Sequence, residues 1–386
     1  MDSKKKGIKV LRKTPSLGAK IPGMSEGLNI FQKTDRVLFK AEERIGKWPV
    51  ALLTGLFFLL LAGLLTTPRF TPEHHGLGFT RLSQHPFDFS TNEDLRFRIL
   101  SPLLGYLFFF RGVMFKYLML IFLVIFYGII YRAQRKNNLR PSEAVGLIAL
   151  LAFSTLSFYQ LYFPAYNDPL SFILILCCLL FYKNNLLKFL FPALMLFNHE
   201  NTIFLFPFFW ILFLDGDYRI SNIFRQTLLL SVSVIPYIFY REWILTKQTV
   251  EYDLAYYFDP KNVRWTQEHV FPHLLSGIFQ AFKLSWILPV IAIGIDLKEK
   301  RFSEIFLLLT CFVFVVSQML IAYDISRLMG MCFPMIIIAA LRIRTHWGSE
   351  KFLSLVYILV LVNLFIPSYC IGALEPIPYA PFWMGW

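Results

Sequence analysis

The sequence predicts an all-α polytopic membrane protein, a bundle of about eleven transmembrane helices with a long first extracytoplasmic loop. Three observations predict it. Of 386 residues, 56% are hydrophobic, 18% aromatic and only 16% charged, too little polar surface to cover a soluble domain. The apolar residues gather into discrete runs separated by short polar connections. Finally, basic connections alternate with acidic clusters from one end of the chain to the other, the signature of helices threaded through a bilayer with their positive loops on one side.

Taken in order, residues 1–47 read as a basic cytoplasmic tail, running through Lys4-Lys5-Lys6, Arg12-Lys13 and Arg44 to Lys47, polar and partly disordered. The run 48–66 is long enough to span, and Thr66-Thr67-Pro68-Arg69 after it lacks a small-residue cleavage site, so it reads as a retained first helix rather than a signal peptide. Further runs follow at 113–131, 144–163, 169–182, 186–197, 202–214, 227–239, 278–295, 305–323, 328–341 and 352–366. With the tail inside, Arg132/Arg135/Lys136/Arg140, Lys183/Lys188, Arg219/Arg225, Lys298/Lys300/Arg301 and Arg342/Arg344/Lys351 all fall inside too. Residues 48–367 thus form the transmembrane unit, with outer loops at about 67–112 and 240–277, and 368–386 form an extracytoplasmic, aromatic and Pro-rich tail.

The stretch 186–214 tests this topology. Read as one helix broken at Asn198-His199-Glu200-Asn201, it would place Lys298/Lys300/Arg301 and Arg342/Arg344 outside; read as two short helices meeting at a cavity, it keeps them inside. At about 1.5 Å per residue each half reaches only about 20 Å. Helices that short are tolerated at membrane depth where they line water or protein. In the first outer loop the apolar stretch from Leu103 to Phe110 is too short to span and reads as an interfacial or re-entrant helix.

The net charge of +13 sits in the tail and the inner connections, not in an aromatic-interleaved groove, so it reports topology rather than nucleic-acid binding. The cysteines Cys177, Cys178, Cys311, Cys332 and Cys370 form no CxxC pair, and neither a disulfide framework nor a zinc site is indicated. No Walker loop, GxGxxG fingerprint or GxSxG elbow occurs. The absence of an Asn-x-Ser/Thr sequon fits a bacterial membrane protein better than one matured in the endoplasmic reticulum.

The same topology brings the charged clusters to one face. Asn92-Glu93-Asp94 with Arg96 and Arg98 supplies carboxylates for a general base and guanidinium groups for a phosphate clamp; the plain alternative is a solvated interfacial loop. Asn167-Asp168-Pro169 opens a span, where helix capping alone explains Asp168. His199-Glu200 sits between two short apolar helices, where an unpaired acid is costly; its partner would be Arg241 or Arg327. Asp324 and Arg327 neutralise each other at i,i+3 unless Arg327 turns inwards as a phosphate ligand. Lys283 reads as a snorkelling lysine, and His74-His75, His85, His269 and His273 as surface loop histidines. No cofactor is required by any motif, and a divalent metal on the loop carboxylates is the one that stays open.

With these residues in place the chain resembles the GT-C superfamily of polytopic glycosyltransferases. The resemblance rests on a first span followed by a long outer loop carrying Asp88 and Glu93-Asp94, on Arg96-Phe97-Arg98-Ile99-Leu100-Ser101-Pro102, which is similar to an Arg-x-Leu-x-Pro-like run of bacterial members, and on Asn167-Asp168, His199-Glu200 and Asp324-x-x-Arg327. It covers residues 48–341. It implies a polyprenyl-phosphate-linked sugar donor, a glycan, lipid or protein acceptor, no nucleic acid, and a loop carboxylate acting as general base in an inverting displacement at the extracytoplasmic face of the cytoplasmic membrane. No clean Asp-x-Asp pair singles out the base, so Asp94, Glu93 and Asp88 compete, with Asp94 favoured. Arg96, Arg98, Asn167, Asp168, His199, Glu200, Arg241, Asp324 and Arg327 become the substrate-binding set. The rival from another class is a transporter or lipid-linked sugar flippase working through Glu200 and Asp324; a non-catalytic scaffold leaves the intramembrane acid unexplained.

Overall fold

A computed structural model describes residues 30–66, 68–90, 93–248, 259–372 and 376–379. Asn92 and the side chain of Asp94 lie outside the described part. The chain is all-α apart from a two-residue antiparallel ribbon pairing Tyr369–Cys370 with Ile377–Pro378. Among the described residues, six helices are long and apolar enough to cross a membrane, and a bent pair makes a seventh candidate.

In chain order the helices are α1 (Ile30–Ile45), α2 (Lys47–Leu64), α3 (His75–Leu82), α4 (Leu100–Leu107), α5 (Phe115–Lys136), α6 (Pro141–Ala152), α7 (Thr155–Tyr162), α8 (Asp168–Phe181) and α9 (Asn185–Asn198). They continue with α10 (Phe206–Leu214), α11 (Ile220–Leu245), α12 (Pro260–Val270), α13 (Leu274–Phe282), α14 (Ile287–Lys298), α15 (Phe302–Ser317), α16 (Ile325–Met329), α17 (Phe333–Trp347) and α18 (Ser349–Phe365).

Local chemistry sets the boundaries. Proline near the first helical position, where no backbone donor is wanted, opens α6, α8, α12 and α17. The run 144–163, read as one span, is bent by 48° between α6 and α7, because Ser154 stops one helix and caps the next by accepting from the Leu156 backbone N–H at 3.3 Å. Gly348, at φ 81°, makes the turn from α17 to α18. Where α2 crosses α5, a Cβ on Gly55 would stand 2.9 Å from the Val124 carbonyl oxygen, so the close approach of the two backbones needs glycine there. Phe126, Phe172 and Phe333 meet edge-on or tilted at the centre of the bundle, with centroids 5.0 to 5.9 Å apart.

Three expectations change. The supposed tail is helical over Ile30–Ile45, pinned to the bundle by Asp35 on the Ser142 backbone and Glu42 on Arg135 and Tyr131; its periodicity is hidden in the sequence because the inward face carries acids. The outer loop at 240–277 is largely helix within the described residues, since α11 runs on to Leu245 and α12 and α13 fill 260–282. Lys283 does not snorkel. It is buried, and its ammonium donates to the carbonyls of Asn363 and Ile366 at 2.9 and 2.7 Å, satisfying the open C-terminal end of α18. The five cysteines are unpaired.

The 186–214 question has a geometric answer. Lys188, in the first turn of α9, donates to the carbonyl of Phe213, in the last turn of α10, at 3.1 Å and to Gln226, near the start of α11, at 3.2 Å. The start of α9 and the end of α10 are therefore side by side, and the chain reverses direction at His199-Glu200. The reversal stands beside Arg98, Asn167 and Arg327, whereas a second set of charges, with Glu42–Arg135, Glu143–Arg344 and Asp296–Arg342 pairs, gathers at the other end of the bundle.

Candidate functional site

At the end of the bundle where α9 turns into α10, a cavity of about 1030 Å³ opens between α3, the Asp94–Arg98 turn, the His199–Glu200 turn, α11 and the Ile321–Leu328 segment. It is at the large end of the range for small-molecule sites. Its wall has two characters. Leu196, Ile203, Phe204, Val234, Ile238 and Leu245 make an apolar side, and Ile203 and Ile238 also reach the outer surface of the bundle. His75, Arg81, Glu93, Arg98, Glu200, Asp324 and Arg327 line it as well, as does Arg241, which falls on the same face of α11 as Val234, Ile238 and Leu245.

The polar wall is assembled from segments far apart in sequence. A tight turn at Asp94–Arg98 presents Arg98, which grips Glu200 through two parallel N–H···O bonds of 2.7 and 2.5 Å. The partner of Glu200 is thus Arg98, not Arg241 or Arg327. Arg327 turns inwards instead and joins three elements. Its Nε donates to Asp168 at 3.0 Å, one terminal nitrogen to Asp324 at 2.8 Å, and the other reaches His199 Nε2 at 3.1 Å. Because a guanidinium has no acceptor, Nε2 of His199 accepts in this contact, in competition with the longer 3.4 Å approach of the Asn201 backbone N–H to Nδ1, since a neutral imidazole has a single acceptor nitrogen.

Asp168 is not a helix cap. Asn167 occupies the cap position of α8 without a side-chain cap bond, and the buried Asp168 carboxylate takes Gln160 at 3.0 Å in addition to Arg327. Asn167 belongs to a clip rather than to the cavity. It donates to the Asn198 carbonyl, while the Asn198 amide donates to the Asn167 carbonyl at 2.9 Å and to Ser171 at 2.8 Å. This clip and the Ser101–Asn198 bond of 2.5 Å set the position at which α9 ends and Glu200 emerges.

The loop residues separate in the same way. Arg96 is buried behind the wall, donating to Gln248 at 2.9 Å and the Pro86 carbonyl at 3.0 Å and lying over Phe89 at 4.6 Å. Glu93 lines the cavity and receives two bonds from Arg81, at 3.1 and 2.8 Å. Asp88 is exposed and stands off the cavity, with Ser90 bound to its carboxylate and holding it below the ordinary carboxylate range. Arg241 lies over the Phe97 ring at 4.1 Å; its Nη2 and the hydroxyl of Tyr237, one turn apart on α11, are buried and have no partner beyond each other.

The sequence reading missed Arg81 and Tyr237 and set His75 aside as a surface loop histidine, whereas Glu242, next to Arg241 among the charges expected on one face, is on the cavity wall with them. A signal existed for Tyr237, which precedes Arg241 by one helical turn; none existed for His75, whose neighbours come from other elements. Its ring packs on Tyr166 and is open to the cavity, while the surrounding protein and the cations Arg98 and Arg327 push its pKa down to about 4, so it is a neutral imidazole at pH 7. Among the described residues no group of three His, Cys, Asp or Glu side chains is close enough to hold a metal ion.

Fold and site together define an α-helical protein with several helices able to cross a membrane and an amphiphilic, arginine-lined cavity at one end. No family model, curated protein or solved structure matches the chain.

Proposed function

We propose that the chain is an integral-membrane glycosyltransferase of the GT-C type, with eleven passes, its N-terminus cytoplasmic and its cavity on the extracytoplasmic side of the cytoplasmic membrane. One observation carries this reading: the cavity is lined both by apolar side chains, Ile203, Ile238 and Leu245 among them, and by Arg241 and Tyr237, whose buried Nη2 and hydroxyl have no partner beyond each other. A buried donor short of acceptors is costly unless a ligand supplies one. An amphiphile with a long apolar tail and a phosphate at the junction with its polar head suits both linings at once, and a polyprenyl-phosphate sugar is such a molecule.

On this reading the isoprenoid lies along Ile203, Ile238 and Leu245, and the phosphate accepts from Arg241 and Tyr237. Arg98 and Arg327 are already bound to Glu200, Asp168 and Asp324, so they shape the wall and its positive potential more than they grip the phosphate. The acceptor hydroxyl gives its proton to a carboxylate of the Glu93-Asp94 turn. Its oxygen attacks the anomeric carbon opposite the phosphate, the carbon–oxygen bond to phosphate breaks, and polyprenyl phosphate leaves with the electron pair. Arg241 stabilises the charge that develops on the departing phosphate. The transport reading asks Glu200 and Asp324 to take up protons in each cycle, and an arginine held on each favours the ionised carboxylate and opposes that.

The test is transfer of labelled sugar from a panel of polyprenyl-phosphate sugars by the purified protein in lipid. Donor-dependent transfer that falls in Arg241→Ala and in Asp94→Asn or Glu93→Gln, with unfolding midpoints unchanged, supports the reading. Absence of turnover with every donor, together with proton-coupled flux that Glu200→Gln abolishes, replaces it with transport.

A further inference from the structure

We propose that the corner between α1 and α2, at the end of the bundle remote from the cavity, is a binding site for an anionic phospholipid, with acyl chains in the corner and the headgroup on a basic stripe of α1. The inference is independent of the enzymatic reading.

It begins with a helix whose faces are in the wrong order for water. The acidic residues Asp35 and Glu42, seven apart and so on one side of α1, are turned into the bundle. There Asp35 accepts from the Ser142 backbone N–H at 2.8 Å, and Glu42 takes a two-pronged Arg135 and the Tyr131 hydroxyl. This fixes the roll of the helix. Ile30, Val37 and Ile45 are left outside, the first two 71% and 66% exposed. In solution such a stripe is an aggregation liability; in the interfacial layer of a membrane it is the buried face.

Between this stripe and α2 lies a groove of about 560 Å³, walled by Val37, Ala41 and Ile45 of α1, Leu53 and Phe57 of α2, and Val145 of α6. Gly46, at φ 88°, allows α1 to turn sharply into α2 and so creates the corner. Since α2 is one of the helices able to cross a membrane, its wall of the groove is at lipid depth, and an acyl chain is the apolar occupant available there.

The headgroup follows from charge. Lys33, Arg36, Lys40 and Arg44 succeed one another at spacings of three, four and four, forming one exposed stripe beside the apolar one. None of them makes an ion pair among the described residues, and Lys33 also lines the groove. Four unneutralised cations at a lipid-facing groove select a headgroup with net negative charge. They repel the same stripe on a second copy of the chain, and equally the Lys-rich segment that precedes α1.

The experiment uses the full chain purified in detergent and titrated with dioleoylphosphatidylglycerol or dioleoylphosphatidylcholine, reading the unfolding midpoint and the lipid retained in native mass spectra. Phosphatidylglycerol is expected to be retained and to raise the midpoint, and phosphatidylcholine to do neither. Lys33→Gln/Lys40→Gln/Arg44→Gln should weaken the phosphatidylglycerol response on the order of a hundredfold. Ala41→Trp, which keeps every charge but fills the groove, should abolish it. If Ala41→Trp alters the midpoint in lipid-free detergent, Thr54→Phe on the opposite wall replaces it. Equal retention of the two lipids, full retention in the variants, or a lipid-free dimer closed over this face would each overturn the proposal.

Discussion

Two arginine–glutamate forks of nearly the same geometry stand at opposite ends of this bundle. Arg135 holds Glu42 at 2.8 and 2.8 Å, with Tyr131 adding a third bond at 2.9 Å; Arg98 holds Glu200 at 2.7 and 2.5 Å. The first is sealed between α1 and α5, with side chains 9% and 3% exposed; the second stands on the cavity wall, at 11% and 22%. An ion pair shut in on all sides fastens two helices and does no more, because no solute reaches it. Beside a cavity the same pair keeps a short helical hairpin in register with a distant loop and sets the potential that a bound molecule meets. Geometry alone does not separate structure from function here; what borders the pair does.

The largest expected effect tests how far the cavity end is also structural. Arg327→Ala leaves Asp168 buried without its cation and frees Asp324 and His199, so stability should drop by about 3–5 kcal/mol, read by unfolding in detergent. A variant as stable as the wild type would mean that Asp168 is protonated or hydrated.

Next comes the comparison itself. Glu42→Ala should cost about 3 kcal/mol of stability and leave transfer per folded molecule unchanged. Glu200→Gln should cost less stability and lower transfer on the order of a hundredfold. If the two variants behave alike in both assays, the cavity gives Glu200 no special role.

A sharper version removes Arg241, whose Nη2 has no partner beyond the neighbouring Tyr237. Arg241→Ala should lower transfer by about a hundredfold, or about 2.7 kcal/mol, and change stability by roughly 0.5 kcal/mol or less. Rescue of the rate in Arg241→Lys would show that charge near the phosphate matters more than the fork.

The smallest effect concerns pH. His75 titrates near 4 in the folded chain and near its ordinary value when unfolded. Between about pH 6.5 and 4 the unfolded chain therefore binds a proton that the folded chain refuses, so this group lowers stability as pH falls through that window and has no effect above it. His75→Asn should flatten the acid side of a plot of unfolding midpoint against pH. An unchanged slope would mean that cavity water screens the cations from the ring.

The sequence disclosed the cluster but not its wiring. Glu200, Arg98, Arg241, Asp324 and Arg327 were all legible as charges at the same ends of apolar runs, since a charge at membrane depth stands out against its neighbours. That Glu200 pairs with Arg98 across 102 positions, while Arg241 lies over Phe97 instead, was not legible, because ring and fork contacts depend on how helices pack. Arg96 and Arg98 show the limit most plainly. Two residues apart in one turn, one is locked behind the wall and the other faces the cavity. His75 and Tyr237 show the converse, ordinary residues made part of a site by their surroundings.

By itself the sequence determined the class, an apolar all-helical chain, because hydrophobic run length is a one-dimensional property. It also placed a reversal at His199-Glu200. Only the tertiary structure decided that α1 is a helix with its acids inward, that Asp168 serves Arg327 rather than a helix end, and which carboxylates, cations and apolar side chains share one cavity. Those depend on the roll and packing of each helix against the others, and a helix's roll is set by contacts its own sequence does not contain.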